Sequence, residues 1–288
     1  MPQKNGFAPT RNRRCRALKA RLVTAALLAV IVVGAVHLIP PEATALLLGT
    51  FLVAAAWEWG ALIGWKSLVG RLAYTVATAI MAIFVWYWNE TFGIFSSLYR
   101  FAVVWWVVAG ILIVAAQLEV LGKLINLASN GIAGLVVLLT AWSAIIWLLQ
   151  NDRVMLLSIF ALVWVTDGAA FFVGKRWGKH RLASKVSPGK SWEGVAGGLV
   201  CGVLCGIGIS HAVVFSGPAR TAFVAIVVLT ILASVVGDLF ESMLKRNTGV
   251  KDSGRLLPGH GGVLDRIDGM VAAAPVFVAG LHHWVNRI

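Results

Sequence analysis

Long apolar runs rich in Leu, Val and Ala recur along the chain, separated by short polar breaks. About 20 helical residues cross the hydrocarbon core of a bilayer. Strands of a membrane β-barrel would instead alternate in character over segments of about ten residues. The pattern therefore predicts an all-α, polytopic membrane protein of about nine spans: 21–39, 43–63, 70–88, 98–116, 128–149, 154–173, 194–215, 219–241 and 266–285.

The composition agrees with this class, because 59% of the residues are hydrophobic and only 13% are charged. A soluble domain carries about 25% charged residues. The formal net charge of +13 is also typical of nucleic-acid-binding proteins. In a membrane protein, however, excess Lys and Arg mark the cytoplasmic loops and meet anionic lipid headgroups. We therefore expect membrane lipids, and no nucleic acid, as partners.

The cations also predict an orientation. With the N-terminus inside, the 25 Lys and Arg residues fall in the basic tail or in the loops after spans 2, 4, 6 and 8, except for Arg100, Arg153, Arg220 and Arg287. This bias predicts a cytoplasmic N-terminus and an external C-terminus. Carboxylates concentrate in the second half. We thus divide the chain into a basic tail (1–20), a transmembrane scaffold (21–150) and a transmembrane catalytic region (151–288).

One polar face lies at the end of the eighth predicted span. Asp238, Glu241, Ser242 and Lys245 are spaced at i, i+3, i+4 and i+7, so they share one side of a helix. Ionisable side chains within a span rarely face lipid, so this face should line the protein interior or a water-filled cavity. A purely structural pairing of Asp238 with Lys245 is the alternative.

The loop that follows carries further acidic and basic residues. Asp265 and Asp268 are three apart, and the glycine-rich segment 258–262 precedes them. Carboxylates that converge from two helices suit Mg²⁺ bridging to substrate phosphates. Nearby cations can neutralise the remaining phosphate charge: Lys245, Arg246, Lys251, Arg255 and Arg266. This composition fits phosphoryl or nucleotidyl transfer, whereas a loop shaped only by the positive-inside bias would not need the aspartates.

A third polar segment runs from Asp167, inside the sixth predicted span, to Gly194. Its "PGKS" is not a Walker A motif, because Ser184 stands where that motif needs glycine and no buried strand precedes it. An ordinary positively charged inner loop would explain the Lys and Arg residues. It would not explain a buried Asp167 or Glu193 beside a turn. We therefore predict a surface for nucleotide phosphates.

The stretch from Ser242 to Asp268, "SMLKRNTGVKDSGRLLPGHGGVLDRID", resembles the family motif of phosphatidate cytidylyltransferase (CDP-diacylglycerol synthase) without departure. The segment from Asp167 to Gly194, which includes "SPGKSWEG" at 187–194, is similar to the nucleotide-side segment of that family. Gly168 and Phe171 depart from it, since the family has a hydroxyl residue and a tyrosine there. The two segments cover about a fifth of the chain.

The resemblance implies transfer of CMP from CTP to phosphatidate, with release of CDP-diacylglycerol and pyrophosphate. It implies Mg²⁺, with a second cation left open, and a homodimer. Metal ligands would be Asp238, Ser242, Asp265 and Asp268. Phosphates would be held by Lys245, Arg246, Lys251 and Arg266, with His260 near the leaving group. The CTP side would comprise Asp167, Ser187, Lys190, Ser191 and Glu193.

Two rival functions remain for comparison. A CDP-alcohol phosphotransferase would need an Ala-Arg pair after "DG", which "DGAAFF" at 167–172 lacks. A transporter for an anionic solute could also use buried charges, but paired broken helices would then be expected. The size of the chain and the absence of an organellar leader in the sequence favour the bacterial cytoplasmic membrane.

Overall fold

The structure is a computed structural model that describes residues 30, 32–118, 127–213, 217–254, 256 and 261–285. Internal contacts divide the chain into two units, Met1–Thr44 and Ala45–Ile288. In the first unit, residues 32–38 are helical, and the Thr44 hydroxyl donates a 3.0 Å hydrogen bond to the Ala35 carbonyl. Most of the first predicted span, 21–39, and the whole basic tail lie outside the described residues.

Seven long helices contain stretches that are long and apolar enough to cross a membrane. They are α1 (Pro41–Leu62), α2 (Leu68–Phe92), α3 (Ile94–Gln117), α4 (Leu127–Asn151), α5 (Arg153–Trp177), α6 (Trp192–Ala212) and α7 (Gly217–Asn247). These helices confirm the predicted all-α, polytopic class. Seven such spans are present among the described residues, where the sequence predicted nine for the whole chain.

The last predicted span differs from the structure. A four-residue helix, α8 (Leu264–Ile267), is separated by a turn from α9 (Met270–Val285), so no continuous helix covers 266–285. At the turn, the Gly269 amide donates a 2.8 Å hydrogen bond to the carboxylate of Asp268. With 16 residues, α9 falls below the usual length of a spanning helix. The turn packs directly against α7, because a Cβ atom at Gly269 would overlap the Ser234 hydroxyl.

The loop between α5 and α6 contains a small hairpin that the sequence did not predict. Strand β1 (Arg181–Ala183) pairs antiparallel with β2 (Ser187–Ser191), with an irregular register between its ends. Its residues lack the alternation typical of strands. Tertiary contacts hold it instead, because Ala183 and Val186 are buried and the Trp192 amide donates to the His180 carbonyl at 3.0 Å.

Side chains of α1 and α2 hold the start of α4. The Trp59 indole donates to the Asn130 carbonyl at 3.0 Å, and the Tyr74 hydroxyl donates to the Gly131 carbonyl at 3.0 Å. Both rings press against Gly134, where a Cβ atom would overlap them. The buried aromatic residues therefore pack α1, α2 and α4 together while their polar atoms remain paired.

Helix α6 packs closely against α5 and α7 along a glycine face. Gly194, Gly198, Gly202 and Gly206 are buried and recur every four residues, so they form one stripe. A Cβ atom at Gly198 would lie 2.9 Å from the Thr166 carbonyl oxygen on α5. Small residues allow such close approach of membrane helices. This stripe brings the N-terminal turn of α6 beside the polar part of α5.

We expect Gly198→Val to destabilise the protein, because the added side chain would meet the backbone of α5. Overpacking of this kind costs about 1–3 kcal/mol. Thermal unfolding in detergent measures the change. Gly208→Val is the matched control, since a Cβ atom at Gly208 on the same helix meets nothing within 4 Å. Equal melting temperatures for the two variants would show that the stripe does not set the α5–α6 contact.

Candidate active site

A polar cavity of about 630 Å³ is lined by α5, the hairpin, α6, α7 and the turn before α9. Apolar atoms of the helices form part of its wall, but six ionisable side chains also face it: Asp167, Lys175, Arg181, Lys190, Asp238 and Asp268. The cavity therefore brings together carboxylates and cations from segments that are far apart in the sequence. It is the candidate active site.

An ion pair joins the two polar motifs across this cavity. Lys190 Nζ in β2 lies 2.5 Å from Asp238 Oδ2 in α7, and both side chains are partly exposed to the cavity. Next to Lys190, the buried Ser191 caps α6 by accepting a 3.1 Å hydrogen bond from the Gly194 amide. The cap and the ion pair together fix the end of the hairpin against α7.

Asp268 reaches the cavity because α7 approaches its backbone closely. A Cβ atom at Gly237 would lie 2.5 Å from the Asp268 carbonyl oxygen, a distance that real Cβ atoms do not show. Gly237 therefore sets the distance between α7, which carries Asp238, and the turn that contains Asp268. The carboxylate of Asp268 is repelled by Asp238, Glu241 and Asp167, and attracted by Lys190. A cation placed among these groups would relieve the repulsion.

Asp265 belongs to a second cluster and is not among the residues that line the cavity. Its Oδ1 accepts a 2.8 Å hydrogen bond from Lys245 Nζ, and its Oδ2 accepts from the Gly262 and Ser253 amides at 2.8 and 2.9 Å. Lys245 also lies 3.4 Å from the buried Glu241. Burial raises the pKa of Asp265, but these hydrogen bonds and the ammonium outweigh it, so its pKa is lowered.

Of the five residues predicted for the CTP side, three line the cavity and two do not. Lys190 and Ser191 line the cavity with Asp167, whereas Ser187 pairs with Ala183 at the far end of the hairpin. Glu193 lies at the start of α6 and accepts hydrogen bonds from the backbone and ring of His180, with 2.6 Å to Nδ1. In this arrangement Glu193 secures the hairpin rather than facing the cavity.

Two residues of α7 contact their neighbours rather than the cavity. The Ser242 hydroxyl lies 3.4 Å from Asp238 Oδ1, and Arg246 Nε donates to the Val186 carbonyl at 3.3 Å. Arg246 thus fastens the tip of the hairpin to α7. Asp238 and Lys245 do not pair with each other. Asp238 pairs with Lys190, and Lys245 pairs with Asp265.

The remaining predicted residues lie in the loop after α7 or in α8. Lys251 and Arg266 have exposed side chains. Arg255 and His260 lie outside the described residues, as does most of the glycine-rich segment 258–262. The described residues resume at Gly261, whose φ of +84° is a conformation that glycine adopts readily.

Glu58 is a residue to which the sequence analysis assigned no role beyond a possible internal partner. It lies in the predicted scaffold and is 1% exposed. Its carboxylate accepts hydrogen bonds from Ser253, Val263 and Leu264 in the loop that carries Asp265. The available signal was the presence of a carboxylate within an apolar span, which requires an internal partner.

The cavity carboxylates have the donor chemistry of a magnesium site. Among the residues that the structure describes, no group of three His, Cys, Asp or Glu side chains is arranged to hold a metal ion unaided. Mg²⁺ differs from ions bound in all-protein cages, because it is usually held by one or two carboxylates together with water and substrate phosphates. Asp238 and Asp268, with Asp167 nearby, fit that requirement.

Comparison with known proteins identifies the family. The sequence model of the cytidylyltransferase family matches residues 19–284. The chain belongs to this family. This membership agrees with the resemblance carried by the segment 242–268, and it makes the protein an enzyme of the nucleotidyltransferase class.

Several relatives of this cytidylyltransferase carry the name phosphatidate cytidylyltransferase. The Pseudomonas aeruginosa protein is 38% identical over 266 residues, covering 91% of this chain and 96% of the relative. The Haemophilus influenzae protein is 36% identical over 289 residues, covering 90% and 97%. The Brucella suis protein is 34% identical over 257 residues, covering 80% and 88%.

We expect Gly237→Ala to reduce cytidylyl transfer by about 10-fold or more, because the methyl group would displace the Asp268 backbone. Small misplacements of a reacting group can cost about 100-fold in rate. Turnover per folded molecule is the measurement, and Gly208→Ala is the control at an open position of α6. Unchanged turnover in Gly237→Ala would show that this close approach does not position the site.

Proposed function

We propose that the protein transfers CMP from CTP to phosphatidate, producing CDP-diacylglycerol and pyrophosphate for phospholipid synthesis. The observation that carries the proposal is the cavity in which Asp238, Asp268 and Lys190 converge from three separate segments. Relatives named phosphatidate cytidylyltransferase align with nearly the whole chain, and this supports the choice of substrates.

The reaction needs positioning and charge neutralisation more than a protein nucleophile. An oxygen of the phosphatidate phosphate would attack the α-phosphorus of CTP, and pyrophosphate would leave in line. The attacking phosphate monoester is already anionic. Lys175, Arg181 and Lys190 face the cavity and can bind phosphate oxygens. The protein would therefore act by holding two anionic reactants together.

Magnesium is part of this proposal. Asp238 and Asp268, supported by Asp167, would hold Mg²⁺, and the bound ion would supply positive charge where phosphate charge develops. The sequence analysis also predicted Ser242 and Asp265 as metal ligands and left open whether a second cation binds. Asp265 is already bonded to Lys245, Ser253 and Gly262, so we assign it to organising the loop.

We further propose that the site faces the cytoplasm, with the N-terminus inside and the C-terminus outside. The segment 21–39 and helix α9 would add two spans to the seven found, giving nine. The inside loops would then hold most of the Lys and Arg residues, as the positive-inside rule expects. CTP is water-soluble and would reach this face directly in a bacterial cytoplasmic membrane. A homodimer remains our proposal from family resemblance.

The deciding experiment incubates purified protein in detergent with radiolabelled CTP and phosphatidate. We expect label to enter the lipid fraction as CDP-diacylglycerol, EDTA to abolish the incorporation and added Mg²⁺ to restore it. A transporter would make no labelled lipid under these conditions, because no compartment is present. Full activity in EDTA would overturn the metal assignment, and absence of labelled lipid in the presence of Mg²⁺ would overturn the proposed reaction.

Lys190→Ala should raise the KM for CTP by about 10-fold or more. The KM for phosphatidate should rise less. Loss of one charge-assisted hydrogen bond to phosphate removes roughly 1.5–3 kcal/mol. Steady-state kinetics with each substrate varied in turn gives both constants. Lys179→Ala removes an exposed lysine of the same loop from outside the cavity and serves as the control. An unchanged KM for CTP would refute this role.

A further inference from the structure

A buried carboxylate in the N-terminal half holds the loop that organises the active site. We propose that Glu58 is a positioning residue for cytidylyl transfer, acting through Ser253 on Asp265 and Lys245. This inference rests on the proposed function. It assigns part of the catalytic organisation to α1, a helix that the sequence analysis placed in the scaffold.

The contacts of Glu58 match the hydrogen-bonding capacity of an ionised carboxylate. Oε1 accepts a 3.0 Å hydrogen bond from the Val263 amide, and Oε2 accepts from the Leu264 amide and the Ser253 hydroxyl, both at 2.9 Å. Both oxygens are therefore occupied, and all three partners are donors. A group that can only accept is required here, because an added N–H or O–H would face another donor.

The loop is shaped to fit around this carboxylate. A Cβ atom at Gly254 would overlap Glu58 Oε1, and one at Gly262 would overlap Glu58 Oε2 and the Ser253 hydroxyl. The neighbouring Trp59 is buried and lies against Phe240 of α7, with ring centroids 6.4 Å apart. The loop therefore encloses the Glu58 carboxylate, with Gly254 against one oxygen and Gly262 against the other.

From Glu58, polar contacts continue through Ser253 and Asp265 to Lys245 of α7. The Ser253 hydroxyl lies 2.9 Å from Glu58 Oε2 and 3.0 Å from Asp265 Oδ2, and its single proton is shared between them. The Ser253 amide also donates to Asp265 at 2.9 Å. Asp265 then accepts from Lys245 Nζ through its other oxygen, at 2.8 Å.

This connectivity predicts which kinetic constant should change. Glu58 holds the backbone at the start of α8, and the cavity residue Asp268 stands at the end of that short helix. Lys190, our assigned CTP ligand, is instead held by Asp238 on the cavity wall. Loosening the loop should therefore weaken stabilisation of the transition state more than binding of CTP. We expect a loss in kcat with little change in the KM for CTP, a pattern that general destabilisation would not produce.

The first test is Glu58→Gln, which preserves side-chain size but replaces one acceptor oxygen with an NH₂ donor. In either orientation the NH₂ group would face a backbone N–H donor, of Val263 or of Leu264. We expect kcat, normalised to folded protein, to fall at least about 10-fold, with the KM for CTP within about 2-fold of wild type. Glu42→Gln is the matched control, an exposed glutamate in the first turn of the same helix.

A second variant tests the route and covers the case in which Glu58→Gln does not fold. Ser253→Ala removes the shared hydroxyl but keeps the Ser253 amide that donates to Asp265. We expect a smaller loss in kcat, again without a change in the KM for CTP. The double variant should lose no more than Glu58→Gln alone, because the two residues act along one chain of contacts.

Hydrogen exchange separates this inference from the proposed function. In Glu58→Gln, peptides covering 261–268 should exchange faster while α5 and α6 remain protected, whatever substrate the enzyme uses. If wild type makes no labelled lipid but the exchange changes, the proposed function fails and the loop contact stands. Unchanged kcat in Ser253→Ala or Glu58→Gln, equal changes in kcat and KM, or faster exchange throughout would overturn the positioning role.

Discussion

Charge inside an apolar protein has to be paired, and this constraint organises the C-terminal half of the molecule. An unpaired ion away from water is costly, and breaking a buried pair by removing one partner is strongly destabilising. Asp238 is paired with Lys190 of the hairpin, and Asp265 is paired with Lys245. These two pairs fix the relative positions of α7, the hairpin and the loop before α9. The candidate active site lies beside the first pair, since Lys190 and Asp238 line the cavity and Lys245 and Asp265 do not.

The pairing depends on how closely the backbones approach one another. Gly198 lets α6 contact the backbone of α5, and Gly237 lets α7 contact the backbone at Asp268. Larger side chains at these positions would separate the carboxylates by the thickness of a methyl group or more. Close packing of small residues therefore has a chemical consequence here, since it determines how near Asp238, Asp268 and Lys190 can come.

Sequence alone predicted the membrane class, most helices and the two polar segments, because hydrophobic run length and clustered charges are local signals. It did not predict the hairpin, since β1 and β2 have no strand pattern and are held by distant contacts such as Arg246 to Val186. It also predicted one continuous last span over 266–285. In the structure, α8 ends at Ile267 and α9 begins at Met270, and this break packs against α7, which periodicity cannot reveal. Glu58 was assigned no role for a related reason, because its partners lie 195 to 206 residues further along the chain.

The two clusters differ in their charge balance, and this difference bears on their roles. The loop cluster is closed, because the oxygens of Asp265 and Glu58 are occupied by donors of the protein itself. The cavity is open, and its described lining contains as many carboxylates as cations. Two phosphorylated reactants would bring several further negative charges into this space. The side chains alone cannot offset these charges, so the cavity suits substrates that arrive with divalent cations. The loop cluster has no free oxygen on Asp265 or Glu58, so it suits a structural role in holding Lys245.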